Sequence, residues 1–150
     1  MDATKLVNGA GYWSVYWYNG YIVGSEMARG LDLFQLRPSA FLSQNEIDAA
    51  KLVHFDYLNA QEQPKHVWPA SFVVARAYLD QLVRGNGISA DRSSAVARDL
   101  SRAEKLRGEE QRAALTQLAT QLEGDAQGAR DAARAQALAS AVRALASTQR

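Results

Sequence analysis

Residues 12–18 read Tyr-Trp-Ser-Val-Tyr-Trp-Tyr, a run that is aromatic or apolar at nearly every position. These residue types fit a pleated, half-buried strand. Period two places Trp13, Val15 and Trp17 on one face and Tyr12, Ser14, Tyr16 and Tyr18 on the other. Asn19-Gly20 follows, and Tyr21-Ile22-Val23 resumes the apolar run. Asn-Gly between two such runs predicts a hairpin with a type I′ turn, because both central residues there need positive φ. A third run, Leu31 to Leu36, is joined to the second through Ser25-Glu26-Met27-Ala28-Arg29-Gly30, a length suited to an antiparallel connection. Arg37-Pro38-Ser39 ends it. The result is a short antiparallel three-stranded meander with large side chains on both faces. A sheet with one wet face alternates more cleanly between apolar and polar, so both faces here want cover, as in a propeller blade held between neighbours. No later segment reads as a strand. Either the helical half covers the sheet, or the chain is the end of something longer.

Beyond residue 40 the period changes. Ser43-Gln44-Asn45-Glu46 is a capping-box signature and predicts a short helix from about Gln44 to Val53. Residues from His54 to Pro69 are irregular by composition. They are expected to wrap back over the sheet, with Phe55, Tyr57, Leu58 and Trp68 as anchors. Pro69 suits the first turn of a helix, and Phe72, Ala75, Leu79, Leu82 and Val83 recur at helical spacing. Gly85-Asn86-Gly87 offers left-handed backbone to stop that helix. Ser89 and Asp91 offer caps for the next, with Val96, Leu100, Ala103 and Leu106 as its stripe. Gly108 breaks the pattern. A third stripe is Gln111, Leu115, Leu118 and Leu122, with Glu109 and Glu110 at the positive end of its helix. Gly124 and Gly128 mark another break, and Ala135, Leu138, Val142 and Leu145 form the last stripe. Four amphipathic helices with short loops are the pattern of an up-down bundle. The fold class expected is therefore α+β, a partial blade followed by a four-helix region. Its divisions are 1–38 (partial blade), 39–68 (connector) and 69–150 (helical module).

Composition sharpens this split. Three Trp, six Tyr and four Phe all lie between Tyr12 and Tyr78, and all three prolines (Pro38, Pro64, Pro69) share that half. Alanine dominates from Gln81 onward. Lys and Arg number 17 against 16 Asp and Glu, a net charge of +1, without the basic stripe of a dedicated nucleic-acid binder. There are no cysteines, which excludes disulfides and thiolate metal sites. No apolar run reaches the length of a membrane span. Met1 to Ala10 lacks the basic and apolar regions of a secretory signal.

Residues 21–36, from Tyr21-Ile22-Val23 through Gly30-Leu31 to Phe34-Gln35-Leu36, resemble one LVIVD repeat: an apolar strand, a short polar turn, Gly-Leu, and a second apolar strand. Residues 11–20 and 42–51 resemble the segments that flank the last such repeat in bacterial LVIVD-repeat proteins. The resemblance covers roughly residues 5–80. It implies the closing strands of a secreted or surface β-propeller, with the upstream blades as partner and Met1 as an internal start. The helical half is similar to FIMAH-type modules at the C-termini of bacterial extracellular proteins. The features in common are Phe72 with Leu79 and Leu82, Gly87-Ile88, Leu100 with Arg102-Ala103-Glu104, Gly108, and Ala113-Ala114-Leu115 with Leu118. That likeness implies an interaction or spacer unit.

Candidate chemistry is sparse. His54 and His66 stand twelve apart with no second ligand pair, so they read as surface histidines and no metal is expected. Pairing Asp48 with Asp56, or Glu46 with Asp48, as acid and base is weaker than helix capping as an explanation. Gly85-Asn86-Gly87 lacks the preceding strand and following Lys-Ser/Thr of a phosphate loop. Glu26, Arg29 and Asp32 flank the polar turn of the best-matched repeat and are candidate rim residues for a ligand, against the plainer reading of a turn-stabilising pair. Trp13 and Trp17 are candidates for a carbohydrate platform, against the plainer reading of strand core. Arg130, Arg134, Arg143 and Arg150 read as a solvated face. The leading expectation is a non-enzymatic, cofactor-free unit for binding or scaffolding at the cell surface. The alternatives are a carbohydrate-binding module using Trp13 and Trp17, and part of a propeller hydrolase whose site lies mainly outside this chain.

Overall fold

The structure, a computed structural model, describes residues 11–28, 30–59, 61–62 and 65–148. Three strands, β1 (Tyr12–Tyr18), β2 (Tyr21–Glu26) and β3 (Gly30–Phe34), precede five helices: α1 (Gln44–Lys51), α2 (Phe72–Arg84), α3 (Ala90–Ala103), α4 (Gly108–Ala126) and α5 (Ala132–Thr148). The fold is α+β, with a sheet of order β1-β2-β3 and both pairings antiparallel. Asn19 and Gly20 both take positive φ, 47° and 94°, which is the I′ geometry expected of the Asn-Gly pair.

Strict alternation fails at one place. Tyr12 pairs with Glu26 and Ser14 with Ser25, leaving Trp13 as an extra residue in a β-bulge. A one-residue slip moves a side chain to the other face, so Tyr12 joins Val15 and Trp17 instead of lying opposite them. That face also carries Ile22 and Phe34, whose partners in the register are Trp17 and Ile22 respectively. The Tyr12 ring packs edge-on to Phe34 at 5.8 Å between centroids. The second strand is longer than its apolar run implies. Gly24 and Ser25, poor strand formers by themselves, are paired on both sides, and that ladder outweighs their propensity.

The helices divide their work as their stripes predict. Leu79, Leu82, Val96, Leu100, Leu115, Leu118, Leu122, Leu138, Val142 and Leu145 meet in one core. Each of α2 to α5 packs on the next, and α5 closes back on α2. Ser43, Ser71 and Ser89 cap α1, α2 and α3 through their hydroxyls, and Ser43 with Glu46 completes the capping box. Three local expectations, at Pro69, Val83 and Gly124, are corrected. Pro69 lies outside α2, whose N-cap is Ser71; a hydroxyl that accepts the Val74 N–H satisfies a donor that proline cannot. Val83 faces water. Gly85-Asn86-Gly87 does supply left-handed backbone after α2, at Asn86 (φ 49°). Gly87 answers to space, since a Cβ there would lie 2.6 Å from a methyl of Leu82. Gly124 stays helical, and α4 runs on to Ala126.

The connector leaves most of the sheet exposed. It binds the hairpin tip through its backbone: Asn19 Nδ2 donates to the Phe55 carbonyl at 2.8 Å, and Phe55 N–H donates to Asn19 Oδ1 at 2.8 Å. The Tyr18 hydroxyl donates to the carbonyls of Phe55 and Asp56, both at 3.2 Å. Tyr57 stays exposed, and Trp68 turns toward the helices. No strand packs on a helix among the described residues.

Candidate functional site

The sheet presents both faces to solvent. Trp13 at the bulge is 76% exposed, and Leu31 and Leu33 are each 64% exposed. The Leu side belongs to a face shared with Tyr16, Tyr18, Tyr21 and Val23, as the register requires. Trp17 is half-buried on the opposite face. The bulge therefore separates the two candidate tryptophans by environment: one is a free indole, the other a ring packed in the sheet.

The acidic candidates also part company. Glu26 is 3% exposed. Its Oε1 accepts the Gly11 N–H at 3.1 Å and its Oε2 the Ala28 N–H at 2.8 Å. A carboxylate on two backbone amides holds a turn together and satisfies donors that would otherwise be stranded. Asp32 lies two residues along β3 from Gly30 and accepts the Tyr12 hydroxyl at 2.6 Å. Arg29 lies outside the described residues. Among the described residues no three of His, Asp and Glu gather as metal ligands would, and His54 and His66 are exposed.

The Tyr12–Asp32 bond exists because Gly24 lies beneath it. A Cβ on Gly24 would come within 2.7 Å of the Tyr12 ring. Gly24→Ala is therefore expected to push Tyr12 aside and break its bond to Asp32, at a cost of up to about 1 kcal/mol. Loss of the through-space signals between the Tyr12 and Phe34 rings in NMR checks this. Persistence of those signals would show that the sheet takes the methyl without moving Tyr12.

A second site, which sequence reading missed, lies among the helices. Glu46 and Ala49 of α1, Val74, Ala77, Tyr78 and Gln81 of α2, Arg134 of α5, and Trp68 of the connector line a cleft of about 170 Å³. Ala49, Val74 and Ala77 are its buried floor. A polar seam runs along it. Arg84 forms a two-pronged pair with Glu46, both bonds 2.7 Å. Glu46 also accepts the Ser43 N–H at 2.7 Å, and the nearby Gln81 side chain helps keep it charged. Gln81 Oε1 in turn accepts from Arg134. The Arg84 guanidinium holds the Glu46 carboxyl down at about 2. The seam thus ties α1, α2 and α5 together. No sequence signal announces the cleft, because its walls come from segments more than 80 residues apart and its floor from small residues that look like ordinary helix filler.

Two of the arginines expected on a solvated face, Arg134 and Arg143, do more than face solvent, while Arg150 lies outside the described residues. Arg143 of α5 donates to Glu123 of α4 at 2.7 Å, and Arg134 reaches Gln81 of α2. Arg92 of α3 pairs with Asp125 of α4 at 2.5 Å, and Arg76 of α2 grips Glu104 beside α3 with two bonds. These pairs lace neighbouring helices, so their charge is spent inside the bundle surface. None of the helices is long and apolar enough to cross a membrane among the described residues.

Compared with family models, curated proteins and solved structures, the chain matches none.

Proposed function

We propose that this chain is a binding or scaffolding unit, without catalysis of its own, in which the three-stranded sheet packs against further β-structure while the helical module stands as an interaction or spacer element. The observation that carries it is the uncovered sheet: Trp13, Val15, Tyr21, Leu31 and Leu33 are all exposed, and no helix lies against them among the described residues. Single exposed apolar residues are ordinary, but a contiguous patch marks an interaction surface, and Tyr21, Leu31 and Leu33 share one face. The occupant that fits is neighbouring propeller blades, since flat aromatic and branched side chains on both faces suit sheet-on-sheet packing. The likeness of residues 21–36 to an LVIVD repeat supports this reading, and with it a secreted or surface setting. The likeness of the helices to FIMAH-type modules supports the spacer role.

Hydrogen exchange on the chain by itself tests the proposal. Amides of 12–34 are expected to exchange far faster than those of α4 and α5, because a sheet without cover opens cheaply. The chain should also bind a dye specific for apolar surface. Leu31→Lys combined with Leu33→Lys should weaken dye binding and leave helix stability within about 0.5 kcal/mol of the parent. A monomer that binds no dye and protects its sheet amides as well as its helices would overturn the reading.

A carbohydrate platform is the second reading, favoured by the 76% exposure of Trp13. A free indole face is what a sugar ring stacks upon. Saturable perturbation of the Trp13 indole N–H by an oligosaccharide, absent for Trp17, would favour it over strand packing.

A further inference from the structure

The cleft among α1, α2 and α5 has a size and a polarity that select a ligand. Its volume of about 170 Å³ is close to the ~150 Å³ in which an apolar cavity takes up one benzene ring. The floor of Ala49, Val74 and Ala77 is buried and carries no polar side chain. Trp68 and Tyr78, both partly exposed, form aromatic walls. A flat ring fits such a slot better than a branched chain, because offset or edge contacts with two aromatic walls add to its burial.

The three polar lining groups differ in what they have left to offer. Glu46 is held by Arg84 and Ser43, and its charge is cancelled at close range by the paired guanidinium. Gln81 spends its carbonyl oxygen on Arg134. Arg134 is used on one side only. Its Nη1 donates to Gln81, and its Nε faces Asp131 at 4.0 Å, beyond hydrogen-bond range. Its Nη2 has no hydrogen-bond partner among the described residues. The Gln81 bond holds the guanidinium in place in the lining of the cleft. A preorganised guanidinium edge is complementary to a carboxylate. An ammonium group would be repelled there, and a neutral group would gain no charge-assisted hydrogen bond.

The geometry points to a binding site for a small aromatic carboxylate, its ring over Ala49 and Ala77 between Trp68 and Tyr78, its carboxylate on Arg134. This inference is independent of the role given to the sheet, which lies away from the cleft.

Three probes of equal size test it on the whole chain: 3-phenylpropionate, 3-phenylpropanol and 3-phenylpropylammonium. The readouts are the NMR signals of the Trp68 indole N–H and the Arg134 Nε–H, with the indoles of Trp13 and Trp17 as internal controls. The acid is expected to shift Trp68 and Arg134 saturably and leave Trp13 and Trp17 unmoved. The alcohol should bind about tenfold more weakly, the loss expected for one charge-assisted hydrogen bond, and the ammonium more weakly still. Arg134→Gln should bring the acid down to the level of the alcohol while helix content by circular dichroism stays that of the parent. No saturable shift at Trp68 up to the solubility limit of the acid overturns the site. Equal affinity for acid and alcohol overturns the carboxylate assignment, as does binding that moves Trp13 instead. If Arg134→Gln does not fold, the order of the three probes on the parent chain still decides.

Discussion

Leu138→Ala is expected to destabilise the helical module by about 3 kcal/mol, within the range for emptying a fully buried leucine site. Leu138 is 0% exposed on α5. It shares the core with Leu100, Leu115, Leu122, Val96 and Val142. That core is built from Leu, Val and Ala, with Phe72 and Tyr78 only at its margin. Side chains this short cannot swing in to refill a lost isobutyl group, and the cross-helix arginine pairs resist collapse of the helices onto one another. The hole therefore stays open, and cavity cost adds to the lost burial. For a module of this size the melting temperature should fall by roughly 12–24 °C, at about 4–8 °C for each kcal/mol. Urea unfolding followed by helical circular dichroism measures the change. Leu31→Ala on β3 supplies the contrast: a leucine 64% exposed should cost under about 0.5 kcal/mol. A loss below about 1 kcal/mol at Leu138 would mean that α5 does not close the bundle as described.

What the sequence made legible is what neighbouring residues decide among themselves. Asn19-Gly20 fixes its own turn, Ser43 with Glu46 fixes its own cap, and the leucine stripes of α3, α4 and α5 name their buried faces. These signals need no knowledge of the rest of the molecule. The bulge at Trp13 is different. It depends on where Glu26 finds its amide partners and on the room that Gly24 leaves for the Tyr12 ring, two facts about strands not yet paired. The connector shows the same limit. Its aromatics pointed to burial on the sheet, but its backbone found the Asn19 side chain first, and a two-way amide bond at the hairpin tip outranked ring packing. Arg134 and Arg143 looked like solvated charge because their acidic or amide partners sit on other helices. Of the candidate residues on the sheet, the reading located the region and misjudged the environment: Glu26 is buried under backbone amides, and only one of the two tryptophans stands free.

The Glu46–Arg84 pair carries the clearest pH dependence. Folding holds the Glu46 carboxyl at about 2, against an ordinary value of 4.5. The first cause is the hydrogen-bonded guanidinium of Arg84, opposed by burial and helped by the Ser43 amide and by Gln81. A carboxyl with a depressed folded value gives stability that is complete above its unfolded value, and acid removes it as pH falls toward the folded value. The contribution is therefore expected in full above about pH 5 and lost between about 5 and about 2. The Glu46 side chain is 8% exposed, but that of Arg84 is 33% exposed. Water screens the pair on that side, so the contribution is about 1–2 kcal/mol, less than the shift alone implies. Glu104, lowered in the same direction by its hydrogen-bonded Arg76, has a more exposed carboxylate, and parent melts alone mix the two. Glu46→Gln separates them. Near pH 7 the variant should be less stable than the parent by about 1–2 kcal/mol, and the gap should close as pH falls below 4 while the Glu104 contribution remains common to both. The same variant keeps an amide that can still face Arg84, so packing against α2 is preserved and the difference reports charge. A gap that stays constant from pH 7 to pH 2 would show that Glu46 holds α1 on α2 by shape alone, with its charge contributing nothing.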